Sequence, residues 1–296
     1  MWANSMTWLA LFGSFAIDSI HEIIQANRQD IGCISDIDRL DQFFENTKPD
    51  VVINCIAYNR VNDCETEYEI AYKTNAIGPL NLAKLSTKHS FKLFHYSTSY
   101  VFDGKKWQPY IESDIPNPLN VYASTKLAWE QFVQNYCDNY NIVRITGMYG
   151  LNPSRSKGTN FFLSIINQSK TKDVIYMVED EIITPTYIDQ VAENTRVLVE
   201  KNIPWLFHMV AESHCSRYEF TKEVFKQLNI QIDIVPIKSK MWPIKRPLFS
   251  VLENWNLKKH NINQMIHWKV QLERFVREKN EQIQELLISC NQVRIH

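Results

Sequence analysis

The chain has 296 residues, enough for one large domain or two intimately joined ones that bury about three quarters of the unfolded surface. Its 32 basic and 33 acidic residues are mixed throughout and give a formal net charge of -1, so no basic stripe exists to attract nucleic acid. Six cysteines (Cys33, Cys55, Cys64, Cys137, Cys215, Cys290) show no Cys-x-x-Cys spacing and the histidines are scattered singly, which excludes a disulfide framework and a metal cluster from the expectation.

The first element is an apolar run over residues 6–17. It falls short of the about 20 apolar residues that a membrane span needs, and the first basic residue is Arg28, so a signal peptide's charged start is missing. We read residues 8–12 as a buried first strand and expect a cytoplasmic chain with no membrane partner. Short apolar runs follow at 51–56, 93–96 and 142–145, separated by helical stretches at 38–46, 68–88 and 119–137. Such alternation predicts an α/β fold, a doubly wound parallel sheet of the Rossmann-like kind. From Gly150 onward Pro153, Pro185, Pro204, Pro236, Pro243 and Pro247 punctuate mixed elements. Residues 1–150 are therefore expected to form a dinucleotide-binding domain, and residues 151–296 mainly a smaller C-terminal substrate lobe. That lobe should cover the carboxyl ends of the strands, where open α/β sheets bind ligands. Residues 269–287 read as a charged helix with a solvated face.

The segment around KLFHYSTSYVFDG and PNPLNVYASTKLAW carries the chemistry. Thr98 ends a strand, and Tyr122 and Lys126 stand one helical turn apart on one face. An ammonium there would favour the phenolate and lower a phenol pKa that is about 10 in water. A phenol so tuned protonates a carbonyl oxygen, and the Thr98 hydroxyl holds the same oxygen. The same Tyr-x-x-x-Lys spacing recurs at Tyr218 and Lys222, in an amphipathic helix with no hydroxyl-bearing strand end before it; an exposed helix face explains that copy. His95, inside the strand before Ser97, reads as a packed core or edge residue.

Several ordered motifs resemble the dTDP-4-dehydrorhamnose reductase family, in the reductase branch of the extended short-chain dehydrogenases. They are PDVVINCIAY, Asn75-Ala76 with Gly78-Pro79, YSTSYVFDG, PNPLNVYASTK and RITGMYG, then Asn160-Phe161, Asp180 with Thr184-Pro185-Thr186, and Arg246-Pro247 before Ser250-Val251-Leu252. The resemblance implies hydride delivery from NADPH or NADH to C4 of a nucleotide-linked 4-keto-6-deoxy sugar. By the same resemblance Thr98, Tyr122 and Lys126 are the catalytic hydroxyl, proton donor and lysine, the last two also touching the cofactor. It further places Gly13, Phe15 and Ala16, Cys33 and Ile34, and Cys55, Ile56 and Ala57 along the dinucleotide. Thr98, Ser99, Tyr100, Gly147 and Arg246 fall on the substrate side. A nucleotide sugar is the implied partner, and a homodimer stays open.

The chain departs from the family where ligands would sit. The phosphate loop Gly13-Ser14-Phe15-Ala16-Ile17-Asp18-Ser19 keeps only the first glycine, the added Cβ atoms disfavour positive φ, and Asp18 would repel a pyrophosphate. Cys33-Ile34 replaces the family's acidic residue near the adenine, and Arg28 is the remaining candidate for a 2′-phosphate. Ser99 and Gly147 stand where the family has an Asp and a Trp, so the sugar hydroxyls read should differ. Two readings follow: an active nucleotide-sugar reductase, or a non-catalytic member with a regulatory or assembly role, like the methionine adenosyltransferase beta subunit.

Overall fold

The computed structural model describes residues 6–16, 21–154, 157–239 and 244–288. Its strands are β1 (Val51–Asn54), β2 (Lys92–Thr98), β3 (Tyr140–Ile145), β4 (Met148–Tyr149), β5 (Val174–Val178), β6 (Ile182–Ile183), β7 (Thr186–Tyr187), β8 (Trp205–His208), β9 (Cys215–Ser216) and β10 (Asp233–Ile237). The helices are α1 (Met6–Phe15), α2 (Arg28–Ile31), α3 (Ile37–Thr47), α4 (Tyr68–Tyr72), α5 (Gly78–His89), α6 (Val121–Tyr136), α7 (Phe161–Thr171), α8 (Ile188–Glu200), α9 (Arg217–Gln227), α10 (Trp255–Lys259), α11 (Trp268–Glu278) and α12 (Asn280–Ile288).

β1, β2, β3 and β8 pair in that order as one parallel sheet, with Val52 opposite Leu93, Phe94 opposite Asn141 and Ile142 opposite Leu206. Every residue of β2 is buried, because a parallel sheet is covered on both faces and its strands read as continuous apolar runs. Alternate side chains go to opposite layers. Leu93 packs with residues of α3, α5 and α6, while Phe94 and Tyr96 pack with α1, α7 and α8. The Rossmann-like expectation is met, and the second half of the chain contributes β8 and α8 to this layered body as well as the outer elements.

Residues 8–12 are not a strand. They lie in α1, which packs against α8. The run WLALF has no β-branched residue and is rich in Leu and Ala, good helix formers. A short uniformly apolar run also cannot be told from a buried helix by periodicity. The C-terminal stretch differs too: it is two helices, and α11 buries Trp268, Leu272 and Phe275 under a charged outer face. Glycine is required at Gly78, where an added Cβ would lie 2.4 Å from Ile34 Cγ2. No helix among the described residues is long and apolar enough to cross a membrane.

Candidate active site

Two element ends bring the reactive groups together. β2 ends at Thr98, whose hydroxyl accepts from the Tyr100 amide at 3.2 Å and starts a tight turn over Ser99–Val101. α6 begins after Asn120, whose Oδ1 accepts from the Ala123 amide at 2.9 Å while its Nδ2 donates to the Lys245 carbonyl at 3.0 Å. That cap sets the phase of the helix and aims Tyr122 at Thr98, whose hydroxyl acts to lower the phenol's pKa. The Tyr122 ring meets Tyr100 edge-on at 6.3 Å. The α6 backbone is anchored again through Thr125, which donates to the Tyr122 carbonyl at 2.7 Å and accepts from Asn75 at 3.0 Å. Asn75 in turn holds the Tyr58 amide and carbonyl at 2.7 and 2.9 Å.

The electrostatics differ from the expectation. Burial raises the Tyr122 pKa above its ordinary value, against the lowering effect of the Thr98 hydroxyl, and the charges that act on it are those of Cys64 and Tyr100. Lys126 does not pull it down. Its Nζ is buried and donates to the Tyr96 carbonyl at 2.7 Å, with His95 Nε2 at 3.1 Å. Burial lowers its pKa to about 7, opposed by Glu130. The phenol is therefore protonated at neutral pH, the form a proton donor needs.

Of the residues expected on the substrate side, Ser99 and Tyr100 follow Thr98 directly in the turn. Ser99 is buried and its hydroxyl has no hydrogen-bond partner. Arg246 donates to Asn62 at 2.6 Å. Arg217, in the helix of the second Tyr-x-x-x-Lys copy, donates to Glu181 at 2.6 Å and lies near enough to Tyr100 for the phenol to act on its pKa. Burial and then the charges of Arg246 and Arg217 lower the Lys157 pKa, which places three cations in one neighbourhood. Sequence reasoning missed Lys157 and Arg217, since nothing local marks either; only the fold brings Arg217 to Tyr100 and Lys157 within reach of Arg217 and Arg246. In the control copy Lys222 is exposed and lies over the Tyr218 ring at 5.3 Å. Gly147 has φ +59°, and an added Cβ would lie 2.3 Å from the Thr184 carbonyl oxygen. No aromatic wall can be built there.

The residues expected along a dinucleotide are only partly assembled. Phe15, Ile34, Cys55 and Ile56 line a cavity of about 400 Å³ along β1, together with Leu11, Phe43 and Phe44. Neither Thr98, Tyr122 nor Lys126 lines it. Ile34 is a core residue beneath Gly78, and Cys33 bonds Ser35 at 3.0 Å. Ala57 follows β1 and is half-buried. Gly13 lies within α1, with nothing within 4 Å of an added Cβ, and Ala16 continues that helix through a bond to the Phe12 carbonyl. Among the described residues, Gly13 to Phe15 are helical. Asp18 and Ser19 of the expected loop lie outside the described residues, and Arg28 is exposed on α2. The residues at the Thr98 and Tyr122 end suit a nicotinamide and a carbonyl substrate. Those at the other end, with Gly13 held in a helix, form no pyrophosphate cradle among the described residues.

The family model described as RmlD substrate binding domain matches residues 11–281. A spore coat polysaccharide biosynthesis protein of Bacillus subtilis is 30% identical over 239 residues, 80% of this chain and 82% of the relative. A dTDP-4-dehydrorhamnose reductase of Escherichia coli is 29% identical over 261 residues, 83% of this chain and 85% of the relative. Among solved structures, a dTDP-4-dehydrorhamnose reductase from Clostridium acetobutylicum superimposes with a TM-score of 0.88 at 33% identity, covering 94% of this chain and 97% of the other. One from Bacillus anthracis in complex with NADP gives a TM-score of 0.87 at 30% identity, with coverage of 94% and 97%.

Proposed function

This chain belongs to the RmlD substrate binding domain family, and on that premise we propose that it reduces the keto group of a nucleotide-linked 4-keto-6-deoxy sugar. Its hydride source is NADPH or NADH, the class supported by the relative solved with NADP. The observation that carries the reading is the junction of β2 and α6, which brings the Thr98 hydroxyl near enough to the Tyr122 phenol to oppose the rise of its pKa by burial, so that one carbonyl oxygen can accept from both. A nicotinamide cofactor, when bound, supplies hydride to the carbonyl carbon. The chain's own part is acid catalysis and orientation: Thr98 fixes the oxygen, Tyr122 gives it the phenolic proton, and the turn at Ser99–Tyr100 closes the sugar side. Lys157, Arg217 and Arg246 offer positive charge to the diphosphate, which a planar guanidinium meets in bidentate fashion.

One observation favours a non-catalytic member instead, namely Gly13 inside α1 rather than in a phosphate turn. Calorimetry with NADPH, followed by turnover of dTDP-4-dehydrorhamnose, separates the two. Tyr122→Phe is expected to lower turnover by about two to four orders of magnitude with the fold intact, and Tyr218→Phe to change it little. Absence of both NADPH binding and turnover in the parent protein overturns the reductase reading, and equal losses from the two variants overturn the role of Tyr122.

A further inference from the structure

One tight turn over Asp63–Glu65, between β1 and α4, meets the acid and the cations together. On its inner side Cys64 is fully buried and near enough to both Tyr122 and Lys157 to act on the pKa of each. One residue on, Glu65 Oε1 accepts from the Val121 amide at 2.8 Å, and Val121 is the first residue of α6, immediately before Tyr122. One residue before the turn, Asn62 Oδ1 accepts from Arg246 Nη2 at 2.6 Å. The turn itself is stiff. The Cys64 amide donates to the Arg60 carbonyl at 3.0 Å and the Glu67 amide to the Asp63 carbonyl at 2.7 Å, and the approach to it is pinned where Asn75 holds both backbone groups of Tyr58.

The first amides of a helix have no partner within it. In α6 the Asn120 side chain takes that of Ala123, and Glu65 takes that of Val121. The two bonds do different things. Asn120 belongs to the helix and sets its phase, whereas Glu65 comes from another segment and sets how far the first turn of α6 stands from it. We propose that Glu65 is a positioning residue: by holding the Val121 amide from a turn whose inner side chain lies near the phenol, it fixes Tyr122 toward Thr98 and in register with Lys157 and Arg246. Its bearing on catalysis rests on the reductase reading; the placement of Tyr122 by Glu65 does not. A carboxylate suits the task, because it meets the positive end of α6. Glu65 is exposed, so its removal opens no core, and the effect falls on the acid rather than on the fold. That effect is geometric, since the charges acting on Tyr122 are those of Cys64 and Tyr100 and not that of Glu65.

The test uses the full chain with ¹³C-tyrosine, the Tyr122 ring signals being assigned by their loss in Tyr122→Phe. In Glu65→Ala those signals are expected to shift or broaden, and kcat on dTDP-4-dehydrorhamnose to fall about 10- to 100-fold with KM nearly unchanged. Glu65→Gln, whose amide oxygen still accepts from Val121, should keep the parent's signals and most of its kcat. Val121→Pro removes the donor instead. Proline is favoured at the first helical position, and Asn120 before it is extended, with φ −149° and ψ 167°, as a residue preceding proline prefers. Stability in denaturant should therefore hold or rise while kcat falls as in Glu65→Ala; a bond with a structural role alone would lower both. The double variant should be no worse than either single one. Parent-like Tyr122 signals in a folded Val121→Pro overturn the proposal whatever becomes of Glu65→Ala, and a Glu65→Gln as impaired as Glu65→Ala does the same. Failure of the reductase reading is seen separately, as absent turnover in the parent while the Tyr122 signals still move in Glu65→Ala.

Discussion

In an unfolded chain a lysine keeps its proton to about 10.4, whereas burial brings Lys126 in the fold to about 7. Between these values the unfolded chain binds a proton that the native state has released, so this group makes stability rise with pH. The full cost of burying the ammonium is felt below the lower value. Lys92, lowered by burial to about 8, has the same sign. Urea unfolding of the parent and of Lys126→Met at several pH values from about 7 to about 10 (about three units, inside the linkage window) isolates Lys126, and the parent should gain on the variant as pH rises. A gap that stays constant or moves the other way contradicts the assignment. Gly147 makes a second residue-scale case. With φ +59° and a backbone oxygen 2.3 Å from any Cβ, Gly147→Ala should cost about 1 to 3 kcal/mol or more in denaturant unfolding. The Thr98, Tyr122 and Lys126 set was legible because strand end and helical spacing are local signals. Gly147 was not, since its constraint comes from Thr184, a contact made only in the fold.

α6 carries Tyr122 and Lys126, so whatever fixes its first turn fixes the acid. Removing the cap by Asn120→Ala should cost about 0.5 to 2 kcal/mol, and turnover should fall further than that loss explains, because the Lys245 carbonyl also loses its donor. Asn120→Ser, which still caps, should recover most of the stability; a fully active Asn120→Ala would show that the cap does not position Tyr122. At this scale β1, β2, β3, α3 and α6 could be read from apolar runs bounded by polar turns, each within a few residues. α1 could not. Leu11 and Phe15 go inward while Phe12 is exposed, and nothing polar alternates with the apolar residues to reveal a period. The same ambiguity hid the helical setting of Gly13, because a lone glycine reads alike in a loop and in a helix.

Across the molecule, Arg144 joins what the chain order separates. From β3 it grips Glu130 on α6, stacks over Phe102 at 5.0 Å and reaches His208 of β8 at 3.4 Å. His208 Nδ1 lies 3.0 Å from the Tyr110 carbonyl and 3.1 Å from that of Glu253, tying the sheet to the outer elements. Arg144→Met leaves the buried Glu130 carboxylate with the Ser97 hydroxyl but no countercharge and should cost about 3 to 5 kcal/mol, read as one cooperative denaturant transition moved to lower concentration. Loss of activity without that shift would mean the network is local. The sheet's opposite border behaves differently. Among the described residues β1 pairs only with β2, and its other side faces the cavity lined by Phe15 and Phe44. The Asp50 carbonyl accepts from the Lys92 amide, so in a parallel ladder Val52 and Asn54 turn their backbone groups to β2, and Val51 and Ile53 turn theirs away. Deuterium should therefore enter one strand at two speeds, fast at the Val51 and Ile53 amides and slow at those of Val52 and Asn54. Any extended segment that came to lie beside β1 would erase that alternation.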